Sequence, residues 1–293
     1  MRVSELYARK DKPVVSLEFF PPRDEKAAEK FDTVVDALSA AAPDYVSVTF
    51  GAGGSTRDGS YQTVKRLIAD KNLPTVAYIA GYGLGPDEIT EVLDKYKALG
   101  VETIFVIRGD MPKDADFTPH PDTFHYASEM IAFIRERYDF TLGCAGYPEG
   151  HIEAPSLEAD IGFLKQKVDN GAEYVVAQYF YDNAFFYEYV DKCRAAGVND
   201  VPIIPGIMPV YTVKMTRNLS RICGSSLGES LEKELDRLEG ADKEEVLQFG
   251  IDLAVEQCRG LLEHGVPGLH FYTMDRSKST LEVINRLRKE GLL

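Results

Sequence analysis

The alternation of short apolar runs with helix-like stretches constrains the fold of this chain more than any other feature. Eight runs end in polar or glycine residues, and a stretch with helical spacing of apolar residues follows each one. After the first run, for example, Phe31, Val34, Val35 and Leu38 fall on one face of a predicted helix. Strands and helices repeated in this way build a parallel sheet that is covered by helices.

The predicted elements alternate over the whole chain. Strands are predicted at 14–20, 44–50, 75–80, 103–107, 141–146, 174–181, 202–210 and 268–274. Helices are predicted at 25–42, 61–69, 157–170, 213–222, 243–264 and 279–289, with two more, one beginning at residue 86 and one ending near residue 137. Eight alternations in 293 residues predict an α/β protein with a single-domain (β/α)8 barrel, a TIM barrel, over residues 1–293 and a helical excursion at about 224–264.

The charge of the chain restricts its partners. With 47 acidic and 33 basic residues the formal net charge is -14, so we expect neither nucleic acid nor an anionic membrane as a partner and favour a small-molecule ligand. The amino terminus lacks the apolar core of a signal peptide, and no stretch approaches the roughly 20 apolar residues of a membrane span. We therefore expect a cytoplasmic protein, and a homo-oligomer is compatible with the sequence.

The metal-binding residue types are scattered rather than clustered. The four cysteines contain no CxxC pair, which favours reduced thiols over a zinc site: Cys144, Cys193, Cys223 and Cys258. His151 follows the fifth predicted strand and could act as a base, but the five histidines show no HxH or HExxH spacing. No metal site is predicted.

Glu18 stands out because it lies inside the first apolar run, next to Leu17 and Phe19. An isolated charge in such a setting is costly, and burial raises the pKa of a carboxyl group. Glu18 would then stay protonated near neutral pH, as a general acid requires. The alternative is a buried carboxylate that is paired with an arginine or with backbone amides, and both interpretations stay open.

Other polar residues fall at the carboxyl ends of predicted strands, where barrel enzymes place their chemistry. With Glu18 they should meet at one mouth: Thr49, Arg108, Asp110, Tyr147, His151, Gln178 and Arg276. Asp110 follows a glycine that admits a ligand close to the backbone, although a solvated turn is the alternative. Gln178 interrupts an apolar strand with an amide that can contact the edge of a flat ring, or that forms hydrogen bonds inside the core.

The glycine-rich segment Gly51–Ser55 is a weaker candidate. It could hold a phosphate, but it matches neither a Walker loop nor the GxGxxG pattern. A simple turn is therefore the favoured interpretation, and a dinucleotide-binding Rossmann motif is not predicted.

Seven sequence blocks, in order and with compatible gaps, resemble the methylenetetrahydrofolate reductase family. They are Leu17–Arg23 (LEFFPPR), Val46–Ala52 (VSVTFGA), Arg108–Asp110 (RGD), Tyr147–His151 (YPEGH), Ala177–Phe180 (AQYF), Pro205–Pro209 (PGIMP) and His270–Thr273 (HFYT). One such block can match by chance, but seven in order over nearly the whole chain cannot readily do so.

The resemblance implies an oxidoreductase of folate one-carbon metabolism and methionine biosynthesis. The family is a flavin-containing (β/α)8 barrel that reduces 5,10-methylenetetrahydrofolate to 5-methyltetrahydrofolate, with FAD as cofactor and NADH or NADPH as co-substrate. It implies a ping-pong reaction in which the nicotinamide leaves before the folate enters the same pocket. No ribose-contacting residue can be identified that would separate NADH from NADPH.

The resemblance also implies roles for individual residues. Glu18 is the expected acid that opens the bridging ring of the folate to an iminium cation, and Asp110 is expected to contact the pterin and to favour that cation. Asp110, Gln178 and Arg276 are the expected substrate-binding residues. The residues expected to line the flavin or the nucleotide are Thr49, Phe50, Ala52, Tyr78, Arg108, Gly109, Asp110, Tyr126, Ala127, Tyr147, His151, Ala154, Asp160 and Lys167.

This chain departs from the family pattern at several positions. Family members have histidine where this chain has Tyr78, and asparagine and arginine where it has Phe163 and Gln166. A glutamine and an aromatic residue are replaced by Met215 and Leu219. Because polar contacts to the pyrophosphate and adenine half of the flavin are lost, we expect looser binding of FAD, or FMN in its place.

Two alternative functions stay open. The first is a flavin-free reductase with direct hydride transfer from nicotinamide to folate, which is motivated by Tyr78, Phe163 and Gln166. The second is a folate-binding subunit that depends on a partner protein, for which the lost polar contacts are the only sign. The leading hypothesis is the flavin-dependent folate reductase.

Overall fold

The fold is built on parallel strands that form one closed sheet. The computed structural model describes residues 1–22, 24–50, 54–110 and 117–293, without the side chains of residues 25 and 54–57. The strands are β1 (Val14–Phe19), β2 (Tyr45–Val48), β3 (Thr75–Ala80), β4 (Thr103–Ile107), β5 (Thr141–Gly146), β6 (Tyr174–Ala177), β7 (Ile203–Ile204), β8 (Gly206–Ile207) and β9 (Gly268–Tyr272). Their order in the sheet is β7-β6-β5-β4-β3-β2-β1-β9-β8, so each of β1 to β6 lies beside its neighbour in sequence.

The sheet closes through a strand that is interrupted at Pro205. On one side β7 pairs with β6, where Ile203 lies opposite Val175, and on the other side β8 pairs with β9, where Gly206 lies opposite His270. Proline cannot donate a backbone hydrogen bond, but the carbonyl of Pro205 accepts one from the His270 nitrogen at 3.1 Å. Because β7 and β8 together act as one barrel strand, the predicted (β/α)8 barrel is confirmed.

Helices cover the outside of this barrel. They are α1 (Val3–Arg9), α2 (Glu25–Ser39), α3 (Gly54–Ala69), α4 (Pro86–Ala98), α5 (Ala127–Arg137), α6 (Leu157–Asp169), α7 (Asn183–Ala195), α8 (Val213–Cys223), α9 (Gly228–Arg237), α10 (Lys243–Glu263) and α11 (Ser277–Lys289). The predicted helix ranges do not include α1, and they give no bounds for α7, although a helix-like stretch was expected after the sixth apolar run as after the others. None of the helices that the structure describes combines the length and the apolar character needed to cross a membrane.

The predicted strand boundaries are accurate in the middle of the chain and too long near its end. The predictions for β3, β4 and β5 match the observed bounds. The predicted strands 174–181, 202–210 and 268–274 all continue past the observed ends of β6, β8 and β9. After β9 the backbone turns sharply, because Met274 and Asp275 adopt positive φ angles of 48° and 52°.

The amino-terminal helix α1 closes the end of the barrel opposite the mouth. The backbone nitrogen of Val3 donates to Thr103 Oγ1 at 3.2 Å, and Ser4 Oγ lies 3.0 Å from Thr141 Oγ1. The buried hydroxyl of Tyr7 reaches the hydroxyl of Tyr45 inside the barrel at 3.2 Å. These contacts tie α1 to β2, β4 and β5.

The helices of the predicted excursion pack in two ways. From α9, Leu231 and Leu235 join a small cluster with Val210 and Val213, beside the end of the barrel strand. In contrast, α10 contributes apolar residues such as Ile251 to the main core. The first part of this segment is therefore packed on the carboxyl-terminal side of the seventh barrel strand.

A prediction tests the closure between β1 and β9. At Gly268 a Cβ atom would collide with the backbone oxygen of Val14, so Gly268→Ala should lower the free energy of unfolding by about 1–3 kcal/mol, as overpacking does. Urea denaturation measures this change. Gly162→Ala on α6 is the matched control, since a Cβ there meets nothing within 4 Å and removal of a helical glycine should stabilise by about 0.5–1 kcal/mol. Equal effects of the two variants would contradict the close approach at Gly268.

Candidate active site

Glu18 lies at the carboxyl end of β1 and is only 4% exposed. Its Oε2 atom accepts a hydrogen bond from the Tyr78 hydroxyl at 2.7 Å, and the hydroxyl of Thr273 donates to its backbone oxygen at 2.6 Å. Tyr78 belongs to β3 and can reach over β2 because the residue opposite Glu18 on β2 is the small Ser47. Burial raises the pKa of Tyr78 well above its usual range, and the charge of Glu18 raises it further, so the tyrosine stays a donor.

His270 is the second polar neighbour of Glu18. Its Nε2 atom lies 3.7 Å from Glu18 Oε2 and forms no hydrogen bond with the described residues. Its other ring nitrogen, Nδ1, is 2.8 Å from Ser16 Oγ. Because β9 is the direct neighbour of β1, the two side chains meet on adjacent strands.

Tyr272 connects the surroundings of Glu18 to the rest of the mouth. Its hydroxyl donates to the Ala177 carbonyl at 3.1 Å, and its ring meets Tyr179 edge-on at 6.2 Å between centroids. Burial raises the pKa of Tyr272 well above its usual range, and nearby Glu18 and Tyr147 raise it further. The ring therefore lies between the acid on β1 and the residues that follow β5.

A cavity of about 460 Å³ lies beside the carboxyl ends of β4 and β5, between α5 and α6. This volume is within the usual range of small-molecule sites. Eight of the predicted cofactor residues line it: Arg108, Tyr126, Ala127, Tyr147, His151, Ala154, Asp160 and Lys167. Phe163 and Gln166, two of the departures from the family pattern, line it as well.

The charged groups of this cavity are held in fixed positions. Lys167 Nζ donates to the Ala145 carbonyl at 2.6 Å and lies 5.9 Å from the centroid of the Tyr147 ring. Arg108 Nη1 donates to Glu153 Oε2 at 2.6 Å. Two cations at one wall, with aromatic rings nearby, suit an anionic ligand that carries a flat ring.

Asp160 is a buried carboxyl group at the same wall. Burial raises its pKa, whereas the charges of Lys167 and His151 lower it. It lies in the first turn of α6, whose amino terminus favours negative charge. The cavity thus contains cations and a carboxyl group within one small volume.

Asp110 lies at the exposed edge of the mouth. It follows Gly109, whose φ of 85° suits glycine and where a Cβ atom would approach the Ala80 Cβ to 3.0 Å. Burial raises the pKa of Tyr147, and the charges of Asp160 and Asp110 raise it further, so Asp110 lies within electrostatic range of the cavity. The Arg-Gly-Asp segment therefore turns toward the site.

Gln178 and Arg276 do not line this cavity. Gln178 directly follows β6, and its Oε1 accepts a hydrogen bond from the Tyr179 nitrogen at 3.1 Å. Arg276 caps α11, is exposed, and holds its guanidinium carbon 5.8 Å from the centroid of the Tyr211 ring. Both belong to the side of the mouth formed by β6, β8 and β9.

The residues predicted after β2 are placed only in part. The Thr49 nitrogen donates to the Phe19 carbonyl at 3.1 Å, and Phe50 is buried. Ala52 lies outside the described residues, as does most of the glycine-rich segment Gly51–Ser55. The described residues also contain no group of three or more metal-ligating side chains that could hold an ion, and all four cysteines are free.

Sequence reasoning missed Asp275. Burial raises its pKa to about 6, a hydrogen bond from the Phe20 nitrogen opposes this shift, and the charge of Glu18 adds to it. Its signal in the sequence is a Thr-Met-Asp turn directly after the last strand. Ser16, two residues before Glu18 on the same face of β1, was missed too.

A larger cavity of about 1340 Å³ opens at the other end of the barrel. It is lined by α1, which includes Tyr7, by α7, by the segments that precede β1 and β9, and by the first residues of β1 and β7, Val14 and Ile203. These residues lie at the amino ends of the strands. The cavity is therefore separate from the mouth that holds Glu18.

The sequence model of the family described as methylenetetrahydrofolate reductase matches residues 2–288. The chain belongs to the methylenetetrahydrofolate reductase family. It is 35% identical over 287 residues to methylenetetrahydrofolate reductase 1 of Schizosaccharomyces pombe. The aligned region covers 97% of this chain and 47% of that protein. It is 32% identical over 273 residues to 5,10-methylenetetrahydrofolate reductase of Escherichia coli, covering 93% of this chain and 90% of that protein. The chain thus spans about half the length of the yeast relative and nearly all of the bacterial one.

Solved structures agree on the fold. A protein from Clostridium thermocellum that binds two copies of 5-methyl-5,6,7,8-tetrahydrofolic acid superposes with a TM-score of 0.68 at 16% identity, over 98% of this chain and 99% of that chain. A dihydropteroate synthase from Xanthomonas albilineans superposes with a TM-score of 0.53 at 13% identity, over 97% of this chain and 95% of that chain. At these identities the similarity shows the barrel alone.

The raised pKa of Asp275 predicts a pH-dependent stability. Ionisation of this carboxyl group in the folded state is unfavourable, so Asp275→Asn should raise the free energy of unfolding at about pH 8, on the order of 2 kcal/mol. The difference should shrink as the pH falls from about 6 toward 4, because the folded wild-type protein then carries a neutral Asp275. Urea titrations across this range measure it, with the exposed Asp191→Asn as the control for net charge. A difference that does not change with pH would contradict the assignment.

Proposed function

We propose that this protein reduces 5,10-methylenetetrahydrofolate to 5-methyltetrahydrofolate with electrons from a reduced nicotinamide nucleotide, carried by a bound flavin in a ping-pong reaction. The observation that carries the proposal is the buried Glu18 at the mouth of a barrel of this family, which also holds, at the carboxyl ends of β4 and β5, a cavity lined by eight predicted cofactor residues. Plant relatives are named as NADH enzymes, for example in Arabidopsis thaliana at 33% identity, so NADH is the first reductant to test.

Glu18 is the proposed general acid. Its proton goes to a nitrogen of the bridging ring of the folate, the bond from that nitrogen to the methylene carbon breaks, and the remaining nitrogen forms an iminium cation. Tyr78 holds the carboxyl group in place through its hydrogen bond to Oε2. The backbone of Glu18 is fixed because β1 pairs with a strand on each side, β2 and β9. A positioned acid of this kind contributes roughly 10²–10⁴-fold to the rate.

The residues of the 460 Å³ cavity fit an anionic nucleotide, with Lys167 and Arg108 as the cations and Tyr126 and Tyr147 as the ring surfaces. A flavin bound there would supply the hydride that the iminium carbon accepts. Phe163 is 45% exposed at this wall, where it offers apolar surface in place of an amide. We therefore propose that FAD is held more loosely than is usual in the family, or that FMN replaces it.

Asp110, Gln178 and Arg276 are the proposed folate contacts. Asp110 is the carboxylate at the mouth whose charge reaches Tyr147, and it would favour the iminium cation electrostatically. The Gln178 oxygen accepts from Tyr179, and among the described residues no hydrogen bond from its two N–H groups is seen, so they can serve the edge of a pterin or nicotinamide ring. Arg276 is exposed and suits the acidic tail of a folate.

The first test removes the proposed acid. Glu18→Gln keeps the size of the side chain and can still accept a bond from Tyr78, but it has no proton to give to the folate. We expect folate-dependent oxidation of NADH to fall by roughly 10²-fold or more. NADH oxidation with an artificial electron acceptor should continue, because it needs no acid on the folate. A variant with full folate turnover would remove Glu18 from this role.

The second test concerns the cavity. Lys167→Met should weaken binding of FAD or FMN by about tenfold, as the loss of one charge-assisted hydrogen bond of about 1.5 kcal/mol implies. Lys165→Met is the matched control, since Lys165 lies on the same helix but pairs with Asp169 and does not line the cavity. Fluorescence titration of the apoprotein measures both affinities. Identical affinities of the two variants would contradict the placement of the nucleotide.

A flavin-free reductase is the second candidate, favoured by Phe163 and Gln166 at the cavity wall and by Tyr78 next to the acid. The absorption spectrum of the purified protein separates the two. A colourless preparation with full folate turnover supports the flavin-free reaction. Stoichiometric FAD bound at submicromolar affinity refutes it, and also refutes the proposed looseness.

A further inference from the structure

A row of buried polar side chains leads from Glu18 through the interior of the barrel to its opposite end. His270 Nε2 lies 3.7 Å from Glu18 Oε2, and its Nδ1 is 2.8 Å from Ser16 Oγ. On the other side, the Tyr45 hydroxyl lies 3.2 Å from the hydroxyl of Tyr7. All five side chains are buried, and Tyr7 lines the large cavity at the amino ends of the strands.

Strand register brings the two halves of this row together. Ser16 is the register partner of Tyr45 on β2 and of His270 on β9, so the three side chains project from adjacent strands at one level of the barrel. Burial raises the pKa of Tyr45, and hydrogen bonds from Ser16 and Tyr7 oppose that shift. Ser16 Oγ thus lies 2.8 Å from His270 Nδ1, and the strand register places its side chain next to that of Tyr45.

The proposed reaction requires that Glu18 be reprotonated in every turnover. Reduction of the folate by a reduced nicotinamide nucleotide consumes one proton per turnover, and that proton reaches the folate from Glu18. Glu18 is only 4% exposed, and a flat ligand bound at the mouth would cover it further. The acid must nevertheless recover a proton before the next folate reacts.

We propose that Tyr7, Tyr45, Ser16 and His270 form a proton relay that reprotonates Glu18 from the cavity at the amino ends of the strands. This inference rests on the proposed function of Glu18. Each hydroxyl accepts one proton and passes on its own, Ser16 gives a proton to His270 Nδ1, and the proton on Nε2 moves to the Glu18 carboxylate. One proton enters at Tyr7, one arrives at Glu18, and no electrons move.

The chemistry of the members fits this task. Burial raises the pKa of Tyr7 well above its usual range, so its hydroxyl keeps a proton to donate. Imidazole can accept at one ring nitrogen while it donates from the other. The Nε2 to Oε2 distance is longer than a hydrogen bond, so transfer requires a shift of the Glu18 carboxyl group by about 1 Å. Rotation of the hydroxyls and of the ring then restores the starting state.

The test interrupts the row far from the mouth. Tyr45→Phe keeps the ring and removes the hydroxyl that lies 3.2 Å from the Tyr7 hydroxyl, on the strand next to Ser16. We expect kcat for the folate reaction to fall at least about tenfold, less than on loss of the acid itself, with an unchanged KM for folate. The solvent deuterium isotope effect on kcat should increase, because proton delivery becomes rate-limiting, whereas NADH oxidation with an artificial acceptor stays unchanged.

Tyr174→Phe is the matched control. Tyr174 is equally buried, packs beside Tyr7 at 6.3 Å between ring centroids, and has a hydroxyl without a hydrogen bond to the described residues. It should leave kcat and the isotope effect unchanged. Tyr7→Phe is the second relay variant, for use if Tyr45→Phe does not fold, and it should reproduce the slow turnover.

The outcomes separate the relay from the proposed function. Wild-type kcat and isotope effect in both relay variants, together with an inactive Glu18→Gln, would overturn the relay and leave the reductase intact. A wild-type protein that forms no 5-methyltetrahydrofolate would overturn the proposed function, and the relay with it. Slow turnover in the relay variants and in Tyr174→Phe alike would also overturn the relay, because loss of any buried hydroxyl would then suffice.

Discussion

The register of β1 is the constraint on which the site depends. This strand pairs with β2 on one side and closes the barrel against β9 on the other, and all six of its residues are buried. Its outward side chains are apolar, as Phe19 shows by its edge contact with Phe31 on α2, while Ser16 and Glu18 face inward. A slip of one residue would exchange the two faces, placing Glu18 among the helices and a phenylalanine in the mouth.

A polar interior is costly in a barrel that could be filled with branched apolar residues. The cost is reduced because most of these groups are paired: Ser16 with His270, Tyr7 with Tyr45, and Glu18 with Tyr78. Close to Glu18, Nε2 of His270 and the hydroxyl of Ser47 have no hydrogen-bond partner among the described residues. Other buried polar atoms of the described residues, such as the hydroxyls of Tyr174 and Tyr189, also have no partner, so unused hydrogen-bonding capacity is not confined to the surroundings of Glu18.

The pattern of apolar residues in the sequence predicted the architecture and the exact bounds of three strands. It could do so because buried parallel strands are continuous apolar runs with sharp ends, as in Thr75–Ala80. It was insufficient for α7, whose aromatic-rich sequence follows β6 without a clear break, and for the interruption at Pro205. The expectation that catalytic residues lie at the carboxyl ends of barrel strands identified Glu18, but not the side chains that contact it. Contacts such as Tyr78 with Glu18 join residues 60 positions apart, and they depend on which strands are neighbours and on the register between them.

Glu18 and the 460 Å³ cavity are held by different kinds of structure. The acid lies inside the barrel, where each side chain is fixed by strand pairing and where a substitution disturbs the core. The 460 Å³ cavity lies between helices and loops, and Phe163 there is 45% exposed. Exchanges on such a surface cost little stability. Under the proposed function, exchanges at this cavity can therefore change cofactor affinity while the geometry around Glu18 stays the same, whereas an exchange at Tyr78 would alter a direct hydrogen bond to Glu18.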